Sequence, residues 1–276
     1  MLLKIYLIIA AAGILIADRF WYILRQEYSW WLTPLLIIAI FISLVILQFL
    51  TLLFMILTTD LNGKSGKGEG LFRFLLKNSL PLVLGAAKVI VRTNGLEKAP
   101  NSKNVFLVCN HQYDFDPAII INFLPQLKLR FIGKKEILTE KKFFAKAMLR
   151  LSCIFIDREN DREAAKTIVN AIKHLKEERG SIALFPEGYC SADDELLPFR
   201  NGSLKVAVKS KVPVVVCVVN NTKKIVPNMF RKTTVVDFRV LDVINPEQYE
   251  NMTTSELGDI IHQKMQNALD DIRNNM

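Results

Sequence analysis

At 276 residues with 51% hydrophobic side chains, the chain is long enough for one sizeable domain and too apolar for a soluble domain to be all of it. Lys4, Arg19 and Arg25 balance Asp18, Glu27 and Asp60 in residues 1–60, so the whole formal charge of +9 lies in residues 61–276. A basic domain behind an apolar segment calls for an anionic partner such as a membrane surface, a phosphorylated metabolite or an acidic carrier; with no clustered basic helix and no aromatic-basic interleaving, nucleic acid is disfavoured.

Residues 2–17 are apolar except for Lys4, and residues 33–59 carry no charge. As a helix the second run covers the roughly 30 Å of a bilayer's hydrocarbon. The first run is shorter and spans only if Lys4 snorkels. A signal peptide ending at Ala10-Ala11-Ala12 is the alternative, but the apolar run continues past those alanines and a second one follows, which favours a two-helix hairpin or re-entrant pair. Phe20, Trp21, Tyr22, Tyr28, Trp30 and Trp31 then read as an interfacial aromatic belt. Lys64, Lys67, Arg73 and Lys77 follow with only Glu69 among them, which by the positive-inside rule places the rest of the chain in the cytoplasm. Gly63-Lys64-Ser65 fails as a P-loop because Thr58 stands where the first glycine belongs, so residues 63–70 read as a flexible linker. Residues 71–84, apolar with Arg73 and Lys77, suit a helix along the membrane interface.

From residue 88 strands and helices alternate. Strands are expected at 88–92, 105–108, 127–131, 154–156, 181–185, 212–219 and 234–243, and helices at 117–124, 140–151, 161–179, 203–209 and 255–274. The expected organisation is a two-helix membrane segment (1–60), a basic linker with an interfacial helix (61–84), and an α/β domain with a mostly parallel sheet (85–276). The four cysteines (Cys109, Cys153, Cys190, Cys217) have no metal or disulfide spacing and read as reduced thiols. His174 and His262 fall in charged amphipathic stretches, and no metal site is expected.

Parallel sheets gather ligand groups at the carboxyl ends of their strands. The first such end carries Asn110-His111-Gln112-Tyr113-Asp114-Phe115-Asp116-Pro117. An imidazole beside a carboxylate deprotonates a hydroxyl near neutral pH, but five residues on a straight helix turn by about 140°, so His111 and Asp116 meet only across a turn. The competing reading makes Asp116 an N-cap, with Pro117 opening the helix. Four further clusters stand out: Gly133-Lys134-Lys135-Glu136, Asp157-Arg158 and Pro186-Glu187-Gly188 leave strands alike, and Arg200-Asn201-Gly202 opens the next helix. Several cations beside a histidine describe a pocket for a phosphorylated polyol, with Arg158 holding phosphate, Lys134 and Arg200 adding field, and Glu187 bonding a glycerol hydroxyl.

In this order the blocks His111-x4-Asp116, Phe155-Ile156-Asp157-Arg158, Phe185-Pro186-Glu187-Gly188 and Val212-Pro213-Val214-Val215-Val216 resemble those of the glycerolipid acyltransferase family, lysophosphatidic acid acyltransferases above all. The resemblance covers roughly residues 85–220. It implies an αβ acyltransferase domain behind a membrane-binding helix pair, with His111 as general base and Asp116 as its orienting partner. Arg158 would bind the acceptor phosphate, Glu187 and Gly188 would shape the acceptor site, and Lys134 matches a basic block between the first two. Pro213 belongs to the fourth block, which would help line the acyl or acceptor pocket. The implied reaction moves a fatty acyl group from a coenzyme A or carrier-protein thioester, as co-substrate and without a cofactor, to a lysophospholipid in the membrane. One departure stands out: the third block usually continues Glu-Gly-Thr-Arg-Ser, whereas this chain has Glu187-Gly188-Tyr189-Cys190-Ser191. Arg200 is the candidate replacement for the missing cation, and Cys190 is not needed as a nucleophile. Acylation of another lysophospholipid or of glycerol 3-phosphate uses the same dyad. A lipid-ester hydrolase is disfavoured by the absence of Gly-x-Ser-x-Gly, and a non-enzymatic lipid-binding protein by the intact dyad.

Overall fold

A computed structural model describes residues 2–25, 33–62, 66–101, 104–191 and 195–274. Tyr28, Trp30, Trp31, Lys64 and the Gly63-Lys64-Ser65 segment lie outside the described residues, as do the side chains of Phe20 and Trp21.

The helices are α1 (Leu2–Arg25), α2 (Thr33–Leu57), α3 (Glu69–Ala86), α4 (Asp116–Phe123), α5 (Ile137–Glu140), α6 (Lys142–Arg150), α7 (Asp161–Lys176), α8 (Lys205–Ser210), α9 (Ile225–Asn228), α10 (Pro246–Tyr249) and α11 (Thr254–Asn274). The strands are β1 (Val89–Asn94), β2 (Phe106–Cys109), β3 (Arg130–Lys134), β4 (Ile154–Ile156), β5 (Ile182–Leu184), β6 (Val214–Asn220) and β7 (Thr234–Ile244). They form one sheet in the order β1-β7-β6-β2-β5-β3-β4. All neighbours pair in parallel except β6 with β7, so β1 and β7 run against the other five.

Successive side chains of a strand point to opposite faces, and both faces here are covered. Leu107, Cys109, Val215, Cys217 and Val219 meet α2, α3 and α4 on one side, while Phe106, Val108, Val214, Val216 and Val218 meet α7, α8 and α11 on the other. The expected elements are present, with one instructive shift. The third strand begins at Arg130 rather than Leu127, because residues 125–127 form a 3₁₀ turn ending in left-handed Lys128 at φ 49°. Lys134 is therefore the last residue of β3.

Among the described residues, Pro34–Leu57 is the one helix long and apolar enough to cross a membrane, and Leu2–Ile16 is a shorter apolar stretch of α1. Their outer faces expose Ile8, Ile16, Leu35, Ile38, Ile42 and Leu47. Near its end α2 turns inward: Leu52, Met55 and Ile56 join Phe72, Leu75 and Leu84 of α3 in the same core as the strands.

Two expectations for the connecting region are corrected. Residues 66–70 are not a flexible linker, since the Gly66 amide donates to the Leu149 carbonyl at 3.0 Å and Glu69 begins α3. Nor does Arg73 face a membrane. Its guanidinium turns inward, donating to the carbonyls of Leu129 (2.9 Å) and Leu151 (2.8 Å) and pairing with Glu69 at 2.7 Å. Arg150 fastens the same region, donating to the Met55 carbonyl at 2.8 Å, the Thr59 hydroxyl at 2.6 Å and the Lys67 carbonyl at 2.6 Å. Replacing Arg150 by Met strips these donors from partly buried acceptors; thermal unfolding of the solubilised protein is expected to show a loss of about 1–3 kcal/mol.

Candidate active site

The carboxyl edge of the five parallel strands holds the site. As the chain leaves β2, Asn110 keeps it in register with β6 through its side chain: the amide nitrogen donates to the Val219 carbonyl at 2.9 Å and the amide oxygen accepts from the Val219 N–H at 2.8 Å. His111 follows on this fixed base. Its backbone N–H donates to Glu187 Oε1 at 2.6 Å, and its carbonyl accepts from the Ser191 N–H at 2.9 Å. The ring stacks on Phe185 with centroids 4.2 Å apart at 14°.

The turn from 111 to 116 brings the two side chains together, with His111 Nδ1 2.7 Å from Asp116 Oδ2. That oxygen also accepts from the N–H groups of Gln112 (2.7 Å) and Tyr113 (2.9 Å), and Oδ1 accepts from the Thr222 hydroxyl beyond the end of β6. The carboxylate is fully buried. The N-cap reading of Asp116 is thereby corrected: its backbone donors precede it in the chain, Phe115 is the N-cap residue, and no side chain caps α4. With Nδ1–H committed to a carboxylate, Nε2 is the nitrogen left to exchange a proton. Burial lowers the pKa of His111, but the hydrogen bond and charge of Asp116, with Cys190 beside the ring, outweigh it and raise the value to about 9.

Glu187 is placed under His111. Both oxygens are occupied by backbone donors, Oε1 by His111 N–H and Oε2 by Leu197 N–H at 2.8 Å, and the residue is 3% exposed. It braces the turn through these two amides. Burial is the main cause raising its pKa to about 7, against the pull of those two N–H groups.

Beyond Glu187 lies a cationic half. Arg158 donates to the Gly188 carbonyl, and the Arg158 and Arg200 guanidiniums stand 5.7 and 5.1 Å from the centre of the Tyr189 ring. Arg200 also donates to the Tyr189 hydroxyl at 3.1 Å. Gly188 has φ +81°, and a Cβ there would meet Arg200 Nε at 3.2 Å and Arg158 Nη1 at 3.3 Å. Two guanidiniums thus converge on one glycine, and burial together with the charge of Arg200 lowers the Arg158 pKa. A cavity of about 470 Å³ opens beside them, lined by Ile156, Ile168, Val169 and Ile172 with Lys205 and Lys209 at its rim.

His111, Asp116 and Glu187 are therefore brought together, as are Arg158, Gly188 and Arg200, and the turn 187–190 joins the two groups. Lys134 is not brought into either: its ammonium pairs with Glu140 at 3.1 Å on the exposed surface. The place of Pro213 is also corrected. It precedes β6 at the amino edge of the sheet, where its carbonyl accepts from Phe106 N–H, and the carboxyl end of that strand, at Asn220 and Thr222, is what reaches the site. Sequence reading missed Thr222, Asn110 and Phe185 as site residues. Thr222 carried no spacing signal, but Asn110 directly after a strand and Phe185 at the head of the third block were visible.

Thr222→Val keeps the shape and removes a donor from the buried carboxylate; unfolding is expected to become easier by about 1–3 kcal/mol, checked by calorimetry. For Glu187 the folded-state pKa lies above its ordinary value of 4.5, so its contribution to stability falls as pH rises from 4.5 through about 7. Glu187→Gln should lower the melting temperature at acid pH and flatten that decline, as measured by melting scans from pH 4 to pH 8.

The mostly parallel sheet thus carries a histidine–carboxylate pair at one strand end and paired guanidiniums at another. Residues 90–220 match the family described as Acyltransferase. The chain is 30% identical over 194 residues to the 1-acyl-sn-glycerol-3-phosphate acyltransferase of Borreliella burgdorferi, covering 68% of this chain and 75% of that protein. It is 32% identical over 161 residues to the protein of the same name from Salmonella typhimurium, covering 58% of this chain and 64% of the relative, and so spans less than two thirds of that relative's length. In fold it is similar to the crystal structure of the 1-acyl-sn-glycerophosphate (LPA) acyltransferase PlsC from Thermotoga maritima, with a TM-score of 0.63 and 22% identity over 81% of this chain and 87% of that one. The chain belongs to this acyltransferase family.

Proposed function

We propose that the protein transfers a fatty acyl group from an acyl thioester to the free hydroxyl of lysophosphatidic acid, giving phosphatidic acid, at the cytoplasmic face of a membrane. The observation that carries this reading is the fixed dyad, with His111 Nδ1 2.7 Å from buried Asp116 and Nε2 left for the acceptor, joined by the 187–190 turn to the converging guanidiniums of Arg158 and Arg200. The names of the relatives support the same acceptor.

In this mechanism His111 Nε2 takes the proton of the acceptor hydroxyl as its oxygen attacks the thioester carbonyl, and the resulting imidazolium is stabilised by Asp116. The tetrahedral intermediate then expels the thiolate, which recovers the proton from His111. Arg158 and Arg200 hold the acceptor phosphate and fix the distance from headgroup to hydroxyl. Arg200 takes over the cation that Cys190 displaces from the third block, which favours a phosphate headgroup despite the Tyr189-Cys190 departure. Coenzyme A or a carrier protein delivers the acyl group as a co-substrate from the aqueous side.

The test is product formation by detergent-purified protein from labelled acyl-coenzyme A, or a carrier-linked thioester, and a panel of lysolipids. Phosphatidic acid from lysophosphatidic acid is expected, with His111→Ala lowering kcat by about 10²–10⁴-fold. Product from a different lysolipid alone would replace the acceptor and keep the chemistry. With the His111 pKa raised to about 9, the base is mostly protonated at neutral pH, so log kcat/KM should climb with unit slope and level off near pH 9. Arg200→Gln should raise KM for lysophosphatidic acid about tenfold or more, the scale of one lost charge-assisted bond.

A further inference from the structure

The end of α2 is where an apolar helix meets a charged domain, so residues packed on that end lie at the level of the membrane surface. The last carbonyls of a helix need donors, and α6 supplies them. Lys146 Nζ donates to the Leu57 carbonyl at 2.7 Å, one helical turn from Arg150, whose guanidinium donates to the Met55 carbonyl at 2.8 Å. Positions three and seven residues apart share a helix face. Phe143 is three before Lys146 and seven before Arg150, so it continues the stripe that touches α2, past the point where α2 stops. It nevertheless remains 51% exposed, with Phe144 beside it at 46%, their rings 6.4 Å apart and edge to face.

The exposed flank of α2 leads up to its junction with α6. Leu50, Leu53, Phe54 and Leu57 are all exposed, so an apolar surface runs along α2 to the end that Lys146 of α6 caps, one helical turn from Phe143. The immediate setting of the two phenylalanines is cationic. Lys142 and Lys146 lie on α6, which contains no acidic residue, and Lys141 precedes it. Adjacent aromatic rings among lysines, beside the end of a helix fit to cross a membrane, match the chemistry of an interfacial helix on anionic lipid.

We propose that α6 is a membrane-docking element, inserting Phe143 and Phe144 among the headgroups of an anionic lipid surface beside the end of α2, with Lys142 against the lipid phosphates while Lys146 stays on the Leu57 carbonyl. The consequence reaches the site through Lys141, whose ammonium pairs with Asp114 inside the turn that carries His111 and Asp116. Docked in this way, α6 holds that turn against the surface from which a lipid acceptor enters. The inference does not depend on the acyl-transfer reading, since it rests on packing and exposure alone.

Phe143→Trp, made in the full chain and reconstituted into vesicles containing anionic lipid, tests it by fluorescence. Emission of the parent protein is subtracted to remove the three native tryptophans. Lipids brominated in the upper acyl chain should quench the added emission about twofold or more, because an interfacial side chain sits about 5–10 Å into the headgroup boundary. Aqueous iodide should have little effect. The same substitution at Ile260, on the helix layer opposite α2, is the control and should respond to iodide only. Iodide quenching at position 143 without bromolipid quenching would overturn the proposal in favour of a solvated helix. Protection from both quenchers would overturn it in favour of a covering protein, such as a second copy of the chain. Neither result depends on whether the protein has acyltransferase activity.

Discussion

The buried carboxylate of Asp116 is the interaction on which the rest of the site depends. A carboxylate removed from water is tolerable only when donors replace the lost solvent. Here four donors do so, and they come from separate places: two amides of the turn, the imidazole of His111 and the hydroxyl of Thr222. Satisfying one charge therefore fixes the exit of β2, the start of α4 and the exit of β6 relative to one another. The histidine is held in one tautomer by the same contacts, so the orientation of the ring is settled before any acceptor arrives.

Charge is sorted along the site rather than mixed. Asp116 and Glu187 lie buried around His111, and Arg158 and Arg200 lie outside around Tyr189. Phe185 separates them: it stacks on the imidazole and also lines the cavity beside the guanidiniums. An anionic group is favoured at one end and repelled from the other. Gly188 makes the short passage possible, because a side chain there would occupy the space on which both arginines converge.

Much of this arrangement could be read from the chain alone, and the reasons differ by element. The strands of the parallel core announced themselves as apolar runs because both faces are covered, and each was followed by a polar cluster at the edge where ligands gather. That rule singled out His111 with Asp116, and Arg158, while Arg200 was read as opening a helix and Gly188 entered through the resemblance; the fold gathers these residues at one edge. The two backbone amides that Glu187 accepts from were not legible, because a carboxylate at a strand end looks the same whether it faces a ligand or the backbone. Thr222 was invisible, since it lies 106 residues from Asp116 and a lone hydroxyl carries no pattern. Pro213 and Lys134 were misplaced for a geometric reason: a block of sequence does not say which end of its strand faces the site, nor whether a lysine finds a nearer carboxylate.

The junction between the apolar helices and the sheet has a further consequence. Leu52, Met55 and Ile56 of α2 and Phe72 of α3 belong to the same core as Val105 and Val215, and Arg150 binds carbonyls on both sides of the connecting segment. A fragment cut after residue 60 would lose part of the cover over one face of the sheet as well as its hold on the bilayer. Detergent for this protein accordingly has to surround an intact roof, and a trimmed catalytic piece would expose apolar surface of its own making.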